Sequence, residues 1–245
     1  EINSKLALLN LRDNYYFEKY HPKKKFKEWN IKNCEIETYK RTINYLIKND
    51  YNVIRIGKGS SSSINLNNNK FIDLTNHKYR SDLLETFLIN KCNIFIGSNS
   101  GGTYPSIFNF RKPTFVTNFI PAAWLPSYSE KIFVCLKRVI NRKNNKILTL
   151  SELKNLNIID YQLSQRYQDL DLKVEDILSE ELVLYSDEFV KKVENKWKYT
   201  EEENLLKKEF NDHFIKLTKE FNLHGKIKCD IGYNFLKNNK DWILK

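Results

Sequence analysis

Methionine is absent from the sequence, which begins with Glu1, a residue that would ordinarily retain an initiator methionine before it. The chain is therefore expected to be a fragment whose N-terminal part precedes Glu1. Cysteine is sparse: Cys34, Cys92, Cys135 and Cys229 lie far apart, with no CxxC and no histidine pair at ligand spacing. Neither a zinc site nor a secreted disulfide framework is suggested, and four reduced, mostly buried thiols are expected. No apolar run approaches the length of a membrane span, and the first residues lack the basic, apolar and small-residue order of a signal peptide. A cytoplasmic location is the expectation, with the inner face of the membrane in reach of basic loops.

Two further absences narrow the chemistry. The chain has no G-x-G-x-x-G and no Walker A, because Gly57-Lys58-Gly59-Ser60 runs into an Asn-rich loop instead of a helix. His21, His77, His213 and His224 show no nucleophile–base arrangement; His77, which precedes the helix begun by Asp82, is kept as a candidate site residue.

What is present describes a folded α/β protein. The 245 residues are 41% hydrophobic and rich in Tyr and Phe, ample for a core. The formal charge of +11 favours an anionic contact: nucleic acid, an acidic membrane surface or a phosphorylated substrate. No RNA-recognition or helix-turn-helix signal supports nucleic acid. The Lys23-Lys24-Lys25 run reads as a solvated loop, also suited to a peripheral membrane contact.

Along the chain, KLALLNL, YNVIRI, FIDL, NIFI and PTFVTN have the length and composition of short buried strands. Between them, Ile36, Tyr39, Ile43, Leu46 and Ile47 share one helical face, and Ser81 is placed to cap a helix burying Leu83, Leu84, Phe87 and Leu88. Thr103 to Phe110 reads as a short helix with Pro105 in its first turn. This β-α-β-β-α-β-α-β order predicts a Rossmann-like parallel sheet with helices on both faces. Residues 1–130 form the expected core. Residues 131–245 repeat apolar residues at helical spacing and are expected to be a mainly helical extension of the same domain.

In an open parallel sheet, ligands bind beyond the carboxyl ends of the strands. The first strand ends in Arg12 and Asp13, the second passes through Arg55 to Gly57, and the central one ends in Gly97, Ser98, Asn99, Ser100, Gly101 and Gly102, before Thr103. If these strands are neighbours, two guanidinium groups and a small-residue turn converge on one crevice. Glycine removes the Cβ that would keep backbone N–H groups from a phosphate, serine adds hydroxyl donors, and the following helix would add its dipole. Arginine suits bidentate phosphate binding. Taken singly, such a turn is more often just a turn and a strand-end arginine a surface ion pair. Asp169-Leu170-Asp171 fits a solvated helix entry better than a metal site, and Glu180 and Glu188, at E-x7-E spacing, sit within an acidic amphipathic helix.

Taken together, NLRDNYY, KNCEIETYKRTINYLIKNDYNVIRIGK, IDLTNHKYRSDLLETFLINKCNIFIGSNSGG and FVTNFIPA resemble a group of bacterial glycosyltransferases of GT-B fold found among surface-polysaccharide genes. The resemblance runs through KNNKILTLSELKN to IGYNFLKNN, most of the chain. More distantly, the pattern is similar to the fucosyltransferase superfamily, in which an arginine contacts the donor diphosphate. Arg12 matches that arginine, Asp82 the acid on a downstream helix, and Gly97 to Gly102 the nucleotide-sugar turn. The superfamily's Arg-Asn before the first long helix appears here as Lys32-Asn33, and its histidine before the arginine is replaced by Asn10-Leu11. The resemblance implies a donor-binding domain for a nucleoside diphosphate sugar. It also implies no metal and no tightly bound cofactor, a glycan acceptor, and an acceptor half before Glu1. Asp13 would orient Arg12, act as a base, or form a structural ion pair. The competing readings are a basic module for an anionic polymer or membrane surface, and a relative that acts on nucleotide sugars without transfer.

Overall fold

The computed structural model describes residues 4–22, 26–219 and 227–245, so the lysine run at 23–25 lies outside the described residues. Strand and helix alternate through the first half. β1 (Lys5–Asn10), β2 (Tyr51–Arg55), β3 (Phe71–Asp73), β4 (Ile94–Ser98) and β5 (Thr114–Phe119) follow the five apolar runs, and β6 (Ile132–Leu136), beyond the expected core, adds a strand that the sequence reading did not include. The basic, aromatic stretch after β1 is partly helical, with α1 at Tyr15–Tyr20 and a 3-10 segment at Phe26–Lys32. Ile36–Tyr39 forms a 3-10 turn that leads into α2 (Lys40–Lys48), and Ile36, Tyr39, Ile43 and Leu46 are buried as their spacing requires. α3 (Asp82–Lys91) begins at Ser81, whose side chain accepts the Leu84 N–H, and α4 (Tyr104–Phe108) is a single short turn with Pro105 at its start.

The second half is mainly helical but not wholly so. β7 (Arg138–Asn141), β8 (Lys146–Ile147) and β9 (Leu172–Glu175) form a small antiparallel sheet in the order β8-β7-β9. α5 (Leu150–Asn155), α6 (Ser164–Asp169), α7 (Ser179–Val193), α8 (Glu201–Thr218) and α9 (Tyr233–Ile243) make up most of the rest. β10 (Asp230–Ile231) returns to pair with β6. β8 and β10 are two residues long and β7 and β9 four, too short for a readable periodicity, which is why the sequence pattern shows only the helices here.

The main sheet runs β10-β6-β5-β4-β1-β2-β3, and every pairing in it is parallel. Read from the other edge, this is the doubly wound order in which the chain reverses direction between β1 and β4. Side chains alternate across the sheet. Ala7, Leu9, Ile94 and Ile96 enter a large cluster with α2, α7 and α9, whereas Leu8 and Phe95 enter a small one with Ile56, Leu74, Ile89 and Cys92. All four cysteines are buried and free, and burial raises the Cys34 and Cys92 thiols to about 11.

One helix departs from its sequence reading. Leu83 is 80% exposed and Phe87 54%, while Ile89 is buried and Leu84 and Leu88 pack partly against the small cluster. Leu83, Leu84, Phe87 and Leu88 share one arc of α3, but the sheet takes the flank that carries Leu84, Leu88 and Ile89, a choice that spacing alone does not make. The acidic pair at E-x7-E spacing also separates. Glu180 pairs with Arg41 at the surface, whereas Glu188 is fully buried and accepts the Tyr233 and Asn234 N–H groups, capping α9. Asp169 and Asp171 lie at the end of α6 and just beyond it, away from any strand end of the main sheet.

Leu83→Ser and Phe87→Ser are expected to change the unfolding free energy by less than about 0.5 kcal/mol, as exposed positions do. Ile89→Ala should cost about 2–4 kcal/mol. Urea unfolding of the three variants measures the contrast.

Candidate functional site

At the point where strand order reverses, a cleft of about 540 Å³ opens beyond the ends of β1, β2 and β4. β1 and the residues after it contribute Asn10 to Asp13, and the exit of β2 contributes Ile56 to Gly59. The turn after β4 contributes Ser100, Gly101 and Gly102. α3 turns Asp82, Glu85, Thr86 and Ile89 toward it, a set at the spacing of one helix face. Tyr16 and Phe17 of α1 close one side, and Pro105, Asn109 and Phe110 another.

Asn10 organises the floor. Its Nδ2 donates to the Ile56 carbonyl (3.2 Å) and its Oδ1 accepts from the Ser100 hydroxyl (2.9 Å), tying together the ends of three strands. A Cβ on Gly102 would stand 2.5 Å from Asn10 Oδ1, so the second glycine of the pair is required by this close approach. Around Gly101 nothing lies within 4 Å of the same position, and the N–H groups of Gly101 and Gly102 make no hydrogen bond among the described residues. The first glycine faces open space.

Arg12 reaches the cleft with an incomplete set of partners. Its Nε donates to Asn33 Oδ1 (3.1 Å) and its guanidinium lies 5.0 Å from the centre of the Phe17 ring, but Nη2 is buried with no partner among the described residues. Burial lowers the Arg12 pKa, and beside it burial together with the Arg12 charge brings the Lys32 ammonium down to about 8. A desolvated cation with an unused donor favours a negatively charged neighbour.

The other strand-end residues support this surface from behind. Ser98 is fully buried and its hydroxyl accepts the Arg12 N–H (2.8 Å). Thr103 is buried and donates to the Ser98 carbonyl (2.7 Å), and a Cβ on Gly97 would stand 2.3 Å from the Thr103 hydroxyl. Asn99 is buried, donating to the Ile120 carbonyl and accepting from Tyr104. Of the predicted turn, only Ser100 to Gly102 reach the cleft. α4 spans five residues, too few aligned peptides for the expected dipole to matter.

Two predicted contacts are corrected. Arg55 does not open onto the cleft: it is fully buried, donating to Asp73 (3.0 Å), the Ser62 carbonyl (2.8 Å) and the Ser60 hydroxyl (2.5 Å). Its Nε lacks a partner too, but the Asp73 ion pair already neutralises its charge. β2 side chains alternate between faces, and that of Arg55 belongs to the side on which the serine loop folds. His77 is exposed in the loop after β3, where its Nδ1 accepts the Tyr79 N–H, and does not line the cleft.

Asp13 and Asp82 stand at the rim with their own partners. Asp13 forms no ion pair with Arg12; Oδ2 accepts from Ser60 and from the N–H and hydroxyl of Ser61, and Oδ1 from the Tyr15 N–H. It anchors the serine loop. Asp82 is 74% exposed and pairs with Arg80. Gly57 lines the cleft, but its N–H is taken by Glu85 (3.0 Å). Asn10 and Glu85 are the residues that reading strand ends missed. A polar residue closing the apolar run KLALLN was the only signal for Asn10, and Glu85, one turn after Asp82, carried none.

Gly101→Ala is expected to leave stability within about 0.5 kcal/mol of wild type, whereas Gly102→Ala, forced against Asn10, should cost about 1–3 kcal/mol; chemical denaturation separates them. Compared with models of known protein families and with curated proteins, the chain has no significant match in either set.

Proposed function

We propose that this chain is the donor-binding domain of a glycosyltransferase that uses a nucleoside diphosphate sugar to build a bacterial surface glycan. The observation that carries the proposal is Arg12, which lines a cleft at the switch point of a parallel sheet and whose Nη2 is buried with no partner among the described residues. Gly101 and Gly102 line the same cleft with N–H groups that make no hydrogen bond among the described residues, and the residues involved are those of the glycosyltransferase resemblance.

In this reading the diphosphate lies between Arg12 and the glycine turn, with no metal in attendance. As the bond from the anomeric carbon to the diphosphate breaks, its electron pair goes to the departing phosphate oxygen. Arg12 and the turn N–H groups stabilise that growing charge more in the transition state than in the ground state. They are fixed before the substrate arrives: Asn33 holds Nε and Ser98 holds the Arg12 N–H. Asp13 is committed to four donors, the Tyr15 N–H and three from Ser60 and Ser61, so the proton of the acceptor hydroxyl goes to another group.

Arg12→Ala should weaken binding of the preferred nucleoside diphosphate by roughly 10- to 100-fold, the loss of a hydrogen bond to a charged group. The thermal midpoint of the free protein should hardly move, because the guanidinium makes one intramolecular hydrogen bond. In wild type, nucleotide at about one hundred times its dissociation constant should raise the midpoint by about 5–10 °C. Nucleoside diphosphate affinity unaltered by Arg12→Ala would rule the proposal out.

A further inference from the structure

We propose that Glu85 is the ligand for the ribose diol of the nucleotide, so that the donor is a ribonucleoside and not a deoxyribonucleoside diphosphate sugar; this rests on the donor-site reading above. In doubly wound sheets that bind nucleotides, a carboxylate near the end of the second strand takes the ribose hydroxyls. Here β2 ends in Arg55, Ile56 and Gly57, which supply no acid. α3 delivers one to the same place. Glu85 Oε1 accepts the Gly57 N–H at 3.0 Å and Arg80 Nε at 2.9 Å, which puts the carboxylate directly on the exit of β2.

Those two donors also fix its orientation. The Glu85 side chain is only 16% exposed and lines the cleft, and Oε2 takes no hydrogen bond among the described residues. An ionised carboxylate oxygen has two acceptor sites, enough for both hydroxyls of a cis-diol. Asp82, the acid matched by family resemblance, is a poorer candidate because it is 74% exposed and makes no hydrogen bond with the exit of β2 among the described residues, whereas Glu85 bonds the Gly57 N–H. Charge sets the direction of the ligand. Glu85 repels a diphosphate and occupies the Gly57 N–H that a phosphate oxygen would need, so the phosphates belong beside Arg12, Gly101 and Gly102. The neutral, donor-bearing ribose then falls toward α3.

Calorimetric titration tests this with inorganic pyrophosphate, with UDP, GDP, ADP and CDP, and with the 2′-deoxy counterpart of each. Wild type should prefer the ribonucleotide that binds best over its 2′-deoxy form by roughly 10- to 100-fold, since the analogue leaves a charged acceptor unpaired. In Glu85→Gln, checked for folding by its melting curve, that preference should fall to about threefold or less while pyrophosphate affinity is kept. Equal binding of the two forms by wild type overturns the Glu85 assignment without any variant, and so does a preference that survives in folded Glu85→Gln; in both cases the donor site itself stands. If wild type binds neither pyrophosphate nor any of the nucleotides, the donor-site reading fails and takes this inference with it.

Discussion

A single carboxamide holds the cleft in shape. Asn10 closes β1 and bonds the Ile56 carbonyl beyond β2 on one side and the Ser100 hydroxyl beyond β4 on the other. Because β1 is the strand between β2 and β4, its last residue alone can reach both neighbours' exits. The glycines beside it follow from that placement. Gly102 must lack a side chain because Asn10 fills the space, and a Cβ on Gly57 would stand 3.4 Å from Asn10 Nδ2. Gly57 also adopts a φ of +146°, which residues with a side chain rarely tolerate.

Around this hub, buried charges shape the loops and leave Arg12 without a carboxylate partner among the described residues. Arg55 donates to the Ser60 hydroxyl and Asp13 accepts from it, which anchors the serine loop next to the Ile56–Gly59 segment that lines the cleft. Arg80 and Gly57 hold Glu85. Arg12 is different: its guanidinium is desolvated, stacked near Phe17 and held by a neutral amide, so its charge is available to a ligand. Desolvation without a counter-charge costs free energy in the unliganded protein, and binding sites store such costs for recovery by the ligand.

The second half of the chain takes part in this through Asn33. The segment carrying that residue is pinned by Ile31 N–H to Ser164 (3.3 Å), Lys32 to Gln162 (2.7 Å) and Glu35 N–H to Asp176 (2.6 Å). Lys137, almost wholly buried, donates to the Asn33 carbonyl and pairs with Asp176 at 2.6 Å. The helical half thus sets where Asn33 stands, and Asn33 sets where Arg12 points. Tyr39 adds a second link across the core: its hydroxyl meets Thr117 and accepts from Asn118, whose Oδ1 accepts the Ile177 N–H.

By itself the sequence determined the parallel α/β class, the strands β1 to β5 and the Ser81 cap, and it singled out Arg12 and the Ser100–Gly102 turn, which the fold brings to one cleft. Those features are local: a short apolar run, a capping hydroxyl and a break into small residues are written within a few positions of one another. Tertiary structure alone decided which face of α3 is buried, that Arg55 serves a loop and not the cleft, that Ser98, Asn99 and Thr103 act from behind, and that Asn10 and Glu85 belong to the site. Each depends on which strands are neighbours and to which side a residue points. Strand order and the rotation of α3 against the sheet are settled by packing, between residues tens of positions apart, and no local pattern encodes them.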